Sequence, residues 1–218
     1  MERVGIFLGS FNPPHIGHIS MVSACVNEYI KKQNLLDSIW VIPAYQNPNK
    51  ANTNNYKERL HWCESSQGGF GYIPNVFVRD IEGDLKPKYT IELIEHLKSD
   101  YPDTEFVWLI TWETYCELLD GKWFASSRLL DENKFIIINE GKWDLDLSMD
   151  YIHFRIGHSN LIRCKNVLAT MKLPNRIDIS STQIRRMVKN GECPIPYITP
   201  DIWDAMLCDI WETSLKGY

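Results

Sequence analysis

The sequence lacks any close pair of cysteines of the kind that binds zinc or forms a redox centre. Its six cysteines are scattered singly, without a Cys-x-x-Cys pair or a Cys/His zinc spacing. Such cysteines favour reduced, partly buried thiols in a cytosolic protein. A charged-then-apolar leader is also lacking, and no apolar run approaches the length of a membrane span. We therefore expect a cytoplasmic protein that has no membrane partner.

An excess of positive charge is absent as well. The formal net charge is −5, which argues against a non-specific nucleic-acid partner, because such a partner requires a basic surface. Nucleotides remain compatible, since one local cluster of donors suffices to bind them. The sequence shows no internal repeat, low-complexity tract or linker, and it indicates no particular oligomeric state. We therefore predict a single domain over residues 1–218, with a helical part at about 180–218.

Strand-like and helix-like segments alternate along the chain. Apolar runs predict strands at 4–8, 38–42, 75–78, 105–110, 134–138 and 168–173. Helical patterns lie between and after them, at 19–30, 56–65, 113–119, 123–130 and 201–211. Two more helices are predicted to begin at Thr90 and at Ser180 or Ser181, each as the capping residue. This alternation predicts an α/β fold with a mainly parallel sheet and helices on both faces.

The most informative segment is Gly9-Ser-Phe-Asn-Pro-Pro-His-Ile-Gly-His18, which joins the first predicted strand to the first predicted helix. A strand that turns into a helix start presents backbone N–H groups and a positive dipole end to a phosphate. His15 and His18 stand beside that anion site and can donate hydrogen bonds to phosphate oxygens. The pattern indicates phosphate chemistry on a nucleotide; the alternative is a structural role for both histidines.

Two motifs together resemble a known superfamily. The segment ending in His18 resembles the histidine-x-glycine-histidine signature of the nucleotidyltransferases, and Ile179-Ser-Ser-Thr-Gln-Ile-Arg185 resembles their second motif. The resemblance implies a Rossmann-like nucleotidyltransferase fold in which the part at about 180–218 completes an ATP site. It also implies Mg²⁺, bound through the phosphates of ATP rather than by protein side chains. Without the resemblance, Ser180 to Thr182 could simply cap a helix, and Arg185 could be a solvated charge.

The middle of the chain resembles one branch of that superfamily, the nicotinate and nicotinamide mononucleotide adenylyltransferases. Val41-Ile-Pro-Ala44, Asn47-Pro-Asn-Lys50 and Tyr89-Thr-Ile-Glu-Leu93 are similar to blocks of that family. The implied reaction joins ATP to nicotinate or nicotinamide mononucleotide and releases pyrophosphate. The implied catalytic residues are His15, His18 and Arg185. Implied ATP or phosphate contacts are Gly9, Ser10, Phe11, Lys50, Ser181, Thr182 and Glu113, and implied pyridine contacts are Tyr89, Thr90, Trp112 and Trp123.

One turn departs from the family pattern. Thr111-Trp112-Glu113 occupies the place of a glycine-x-aspartate turn that contacts the adenosine ribose. Glu113 would take over that contact, and Trp112 competes with Trp123 as the aromatic partner of the pyridine ring. Two other functions remain open at this stage. One is a nucleotidyltransferase for another phosphorylated acceptor, and the other is a non-catalytic nucleotide sensor on the same fold, which the altered turn favours.

Overall fold

The computed structural model describes residues 1–46, 55–65, 69–140, 148–157, 160–173, 177–204 and 206–207. Six strands of the described chain form one sheet in the order β3-β2-β1-β4-β5-β6, and the pairings between neighbours are parallel. The strands are β1 (Glu2–Gly9), β2 (Ser38–Pro43), β3 (Val76–Val78), β4 (Thr104–Thr111), β5 (Lys134–Asn139) and β6 (Val167–Lys172). This is the strand order of a doubly wound Rossmann-like sheet, so the predicted fold class is confirmed.

Helices connect the strands. The first of them, α1 (Ile16–Cys25), continues directly into a π-helical segment, Val26–Lys32. The other helices that precede β5 are α2 (Tyr56–Glu64), α3 (Glu82–Leu85), α4 (Thr90–Asp100), α5 (Trp112–Leu119) and α6 (Ser126–Glu132). Those that follow β5 are α7 (Met149–Ile156), α8 (Leu161–Asn166) and α9 (Ser181–Lys189). Residues 200–204 and 206–207 are also helical. Among the described residues, none of the helices combines the length and apolar character that a bilayer crossing needs.

Side chains alternate between the two faces along each strand. Both faces of this sheet are apolar, and helices cover both. Val4 and Ile6 of β1 point into a core that α4, α5 and α6 complete. Phe7 of the same strand points into the other core, which α1 and the π-helical segment complete. Burial of both faces explains why the strands are continuous apolar runs rather than alternating patterns.

The sheet order places the connections after β1 and β4 at one edge. β1 lies between β2 and β4, and its Ile6 pairs with Trp108 of β4. Each strand continues three residues further, to Gly9 and Thr111 respectively, so the two carboxyl ends lie side by side. Crevices at such a reversal of strand order are where doubly wound sheets bind ligands. The segment from Gly9 to His18 begins at this point.

Several predicted boundaries need correction. The first helix begins at Ile16 rather than Ile19, and β2 includes Pro43. Tyr89, not Thr90, is the N-cap of α4, because Tyr89 retains extended backbone angles and Thr90 already lies inside the helix. The helix predicted at 123–130 begins only at Ser126, since Ala125 adopts a left-handed conformation just before it. Ser180 is the cap of α9. The part of the predicted helix 201–211 beyond Leu207 lies outside the described residues.

Candidate active site

The turn after β1 is shaped by an aromatic ring. Phe11 has a positive φ of 44°, and its ring is almost completely buried. That ring lies over Gly9, where a Cβ atom would come within 2.8 Å of the Phe11 ring carbon Cζ. Real Cβ contacts are not that short, so Gly9 is required for the turn to close. The main chain from Gly9 to Phe11, predicted to contact phosphate, therefore has a defined and tightly packed path.

The two histidines form one unit at the start of α1. His15 is the N-cap, with φ −148° and ψ 170°, and its main-chain N–H donates to Nδ1 of His18 over 3.2 Å. The ring centroids lie 3.7 Å apart. Because Nδ1 of His18 accepts that bond, the proton of the neutral imidazole is on Nε2. His18 therefore has an N–H donor on the side of its ring away from the cap.

The second motif contacts the first directly. Ser181 donates its hydroxyl to the carbonyl oxygen of Pro13 over 2.8 Å. Arg185 donates from Nη1 to the carbonyl oxygen of Asn12 over 2.5 Å and from Nη2 to Oγ1 of Thr182 over 3.1 Å. Burial lowers the pKa of Arg185, yet a guanidinium stays charged at physiological pH. The chain thus brings two segments more than 160 residues apart into one place, as the motifs predicted.

A small apolar cluster fixes α9 in that position. Its buried members are Trp62 of α2, Ile184 of α9, and Ile198, Ile202 and Met206 of the segment that follows α9. The same segment reaches the start of α1, where the N–H of Ile16 donates to the carbonyl of Tyr197 over 2.9 Å. The segment after α9 therefore stabilises the contact between the two motifs.

Two of the four residues predicted to contact a pyridine ring, Tyr89 and Trp123, are partly buried against the same apolar core, beside α4, α5 and α6. The Tyr89 ring stacks on Phe124 with centroids 4.2 Å apart and ring planes 21° apart, and Phe124 is 60% exposed. The indole N–H of Trp123 donates to Glu117 over 3.0 Å. Sequence reasoning missed Phe124, although it directly follows the predicted Trp123.

The other described residues predicted to contact a substrate do not form one cluster. Thr90 is the first residue of α4, beside Tyr89. Trp112 is only 5% exposed and packs against Tyr115 and Tyr151. Glu113 is exposed in the first turn of α5. Lys50 lies outside the described residues. The roles of these residues stay predictions.

A buried arginine and a buried glutamate near the turn were not predicted at all. Arg59 of α2 and Glu82 of α3 are 1% and 4% exposed. Arg59 donates to the carbonyl oxygen of Ser10 over 2.7 Å, and Glu82 accepts from the main-chain N–H of Tyr45 over 2.5 Å. The available signal was the position of Arg59, three residues from both Tyr56 and Trp62 and hence on the same helix face as these two aromatic residues.

Glu82 should make the stability of the fold depend on pH. Burial raises the pKa of its carboxyl from 4.5 to about 7, although the Tyr45 N–H and Arg59 act in the opposite direction. The folded protein thus binds this proton more tightly than the unfolded chain does. The resulting stabilisation is complete below pH 4.5 and is lost as the pH rises through 7. As the pH rises over that range, the unmodified protein should lose about 3 kcal/mol of unfolding free energy. Glu82→Gln has no proton to lose at this position, so its unfolding free energy should not show that loss.

Urea unfolding at the two ends of this pH range measures the effect. Glu64→Gln, which changes an exposed glutamate at the end of α2, serves as the control and should follow the unmodified protein. Parallel stability curves for Glu82→Gln and the unmodified protein would show that folding does not raise the pKa of the Glu82 carboxyl.

The described residues contain no group of three or more histidine, cysteine, aspartate or glutamate side chains arranged to hold a metal ion. What the arrangement does provide is a set of donors. Main-chain N–H groups of the turn, the Nε2–H of His18 and the Arg185 guanidinium are suited to phosphate oxygens. The stacked rings of Tyr89 and Phe124 are suited to a flat ring.

Comparison with known proteins agrees with this combination of fold and site. A family model described as cytidylyltransferase-like matches residues 6–187, and the chain therefore belongs to this family of nucleotidyltransferases. Within it, the chain is similar to the nicotinate-nucleotide adenylyltransferase of Bacillus subtilis, at 26% identity over 92% of this chain and 93% of the relative. A Bacteroides fragilis protein named "Probable nicotinate-nucleotide adenylyltransferase" is 27% identical over 94% of this chain and 91% of its own length.

Solved structures show the same fold. The nicotinic acid mononucleotide adenylyltransferase of Plasmodium falciparum, in a structure complexed with NaAD, superposes with a TM-score of 0.71. Its sequence is 20% identical, and the match covers 95% of both chains. The family resemblance predicted from the two motifs and the middle of the chain is thereby confirmed.

Proposed function

We propose that the protein is a nicotinate-nucleotide adenylyltransferase. It would transfer the adenylyl group of ATP to nicotinate mononucleotide and release the deamido dinucleotide and pyrophosphate. The observation that carries the proposal is the direct contact between the two motifs, in which Arg185 and Ser181 bind the carbonyls of Asn12 and Pro13. The similarity to relatives named nicotinate-nucleotide adenylyltransferase supports the acid form of the acceptor.

In the proposed reaction, an oxygen of the acceptor phosphate attacks the α-phosphorus of ATP. The bond between that phosphorus and the bridging oxygen breaks, and the electron pair leaves with pyrophosphate. Such a transfer needs positioned donors more than covalent chemistry. His18 would donate from Nε2 to the oxygens that gain charge, with His15 beside it. Arg185 and Thr182 would bind the departing phosphates, and Mg²⁺ would enter as part of the substrate MgATP.

The acceptor would bind at the aromatic surface beside α4. Tyr89 and Phe124 are stacked and at least partly exposed, and Trp123 directly precedes Phe124. Aromatic side chains bind a flat pyridine ring by offset stacking or edge contacts. Lys88, whose Nζ lies 5.2 Å from the centre of the Tyr89 ring, would favour a negatively charged carboxylate over an amide.

Initial rates with ATP, Mg²⁺ and a panel of acceptors test the proposal. Pyrophosphate release and chromatography of the product should show the deamido dinucleotide from nicotinate mononucleotide, and a lower kcat/KM with nicotinamide mononucleotide. Turnover of pantetheine phosphate without turnover of either mononucleotide would assign the protein to another acceptor. Binding of ATP and mononucleotide in calorimetry without any product would instead indicate a sensor.

A further inference from the structure

Arg59 makes a set of contacts that is unusual for a buried arginine. Its Nη1 donates to the carbonyl oxygens of Ser10 and Ala44, each over 2.7 Å. Its Nη2 donates to the carbonyl oxygen of Tyr45 over 2.9 Å. These acceptors belong to the main chain that continues beyond the carboxyl ends of β1 and β2. One planar guanidinium therefore joins the phosphate-binding turn to the segment after β2.

The contact with Ser10 determines where the next N–H points. The Ser10–Phe11 peptide is not among the cis peptides of the described chain, and the C=O and N–H of a planar trans peptide point in opposite directions. Because the Ser10 carbonyl points at Arg59, the Phe11 N–H points away from it. A second bond, from the N–H of Ala44 to the carbonyl of Gly9 over 2.8 Å, fixes the start of the same turn.

The guanidinium is itself held from several sides. The side chain of Glu82 accepts the N–H of Tyr45, and the carbonyl oxygen of Tyr45 accepts from Arg59. Tyr56, one turn before Arg59, donates its hydroxyl to Asp80 over 2.7 Å. Gly83 fits closely here, since a Cβ atom on it would lie 2.2 Å from the Asp80 carboxylate and 2.5 Å from the Tyr56 ring. Such packing leaves Arg59 little freedom to turn.

The helix that carries Arg59 also contacts the second motif. Trp62 of α2 packs in the apolar cluster that contains Ile184 of α9. One face of α2 therefore holds the turn after β1 through Arg59 and supports the helix of Arg185 through Trp62. A hydrophobic residue would fill the place of Arg59 at a lower desolvation cost, because burying a charge is expensive. The arginine instead provides hydrogen bonds to three main-chain carbonyls, which a hydrophobic residue could not make.

We propose that Arg59 is a positioning residue for adenylyl transfer, which holds the Ser10 carbonyl so that the Phe11 N–H faces the α-phosphate of ATP. The inference rests on the proposed function and adds to it a residue that lies behind the phosphate-binding turn. Arg59 touches no substrate in this proposal. It acts through the peptide between Ser10 and Phe11.

The test compares Arg59→Lys and Arg59→Gln with a matched control. Arg3→Lys is suitable because Arg3 also donates to a main-chain carbonyl, that of Leu35 at 3.3 Å, and pairs with a carboxylate, that of Glu105. Arg3 lies at the opposite end of β1. We expect kcat to fall by about 10- to 100-fold in the Arg59 variants, with the KM of the acceptor unchanged. Arg59→Lys should lose less than Arg59→Gln, and Arg3→Lys should retain full turnover.

Protein labelled with ¹⁵N at phenylalanine gives a second readout. Titration with a non-hydrolysable ATP analogue should shift the Phe11 amide resonance strongly in the unmodified protein and weakly in Arg59→Lys. Arg59 variants that keep kcat within twofold, or lose it only in proportion to their folded fraction, would overturn the proposal. If neither Arg59 variant folds, absence of a Phe11 shift in the unmodified protein would overturn it.

Failure of the proposed function would look different. The unmodified protein and Arg3→Lys would then both form no dinucleotide with any acceptor. The shift of the Phe11 amide on addition of the ATP analogue would still report whether that N–H meets a phosphate.

Discussion

Replacing His18 by alanine should lower kcat by about 10²- to 10³-fold, which is the usual loss when one donor to a transition-state oxyanion is removed. The structure indicates which ring nitrogen of His18 is the donor. Nδ1 of His18 accepts the N–H of His15, so Nε2 of the neutral ring carries the proton and is the atom proposed to donate to the phosphate. Because the donor acts mainly on the transition state, kcat and kcat/KM should fall together. Steady-state rates with varied ATP measure both.

Two further substitutions separate catalysis from helix capping. In His18→Asn, the amide oxygen can still accept the N–H of His15 but no atom reaches the position of Nε2, so stability should be kept and turnover lost. In His18→Gln, an N–H lies near the position of Nε2, so part of the turnover should return. His96→Ala, which removes a histidine on α4 paired with Asp100, should leave turnover unchanged. Normal rates in a folded His18→Asn would rule out the catalytic role of His18.

Replacing Arg185 by alanine should raise the KM for ATP by about 10- to 100-fold. A hydrogen bond to a charged group contributes about 1.5–3 kcal/mol, which corresponds to such a change. The substitution also removes the bond to the carbonyl of Asn12, which joins the two motifs. We therefore expect a smaller fall in kcat besides the change in KM. Calorimetric titration with ATP, in the absence of the acceptor, measures the affinity directly.

The neighbouring arginine provides the control for that experiment. Arg186 lies on the same helix and is exposed, so Arg186→Ala removes the same charge without removing the contact to the first motif. Its affinity for ATP should fall by much less than that of Arg185→Ala. Equal losses in both variants would mean that only the overall positive charge of α9 matters, and that Arg185 does not hold the triphosphate.

The sequence predicted the sheet and the two motifs because both have strong local signals. Apolar runs such as 134–138 are typical of strands buried on both faces, and β5 was predicted within one residue. The segment from Gly9 to His18 combines a turn, two histidines and a helix start in ten residues. The family resemblance of the two motifs also indicated that Arg185 would lie close to this segment. No spacing in the sequence indicated it.

The contacts behind the turn could not be predicted, since they run through main-chain carbonyls. Every residue has a main-chain carbonyl, so the sequence contains no signal that Ser10 and Ala44 are the partners of Arg59. Glu82 looked like one more acid in a polar loop, yet it is buried. The environment of Trp112 could not be predicted from the sequence either. Its side chain could face either the core or a ligand, and only the packing of α5 against α7 shows that it contacts Tyr115 and Tyr151.

The separation of 173 residues between Arg185 and its acceptor Asn12 has a consequence during translation. The six strands of the described residues precede residue 177, whereas the helix that contacts the histidine turn follows it. A nascent chain can therefore build its sheet on the ribosome before Arg185, the residue proposed to bind the departing phosphates, has been synthesised. Under the proposed function, a chain that ends after β6 would lack the bond from Arg185 to the Asn12 carbonyl and would form no dinucleotide.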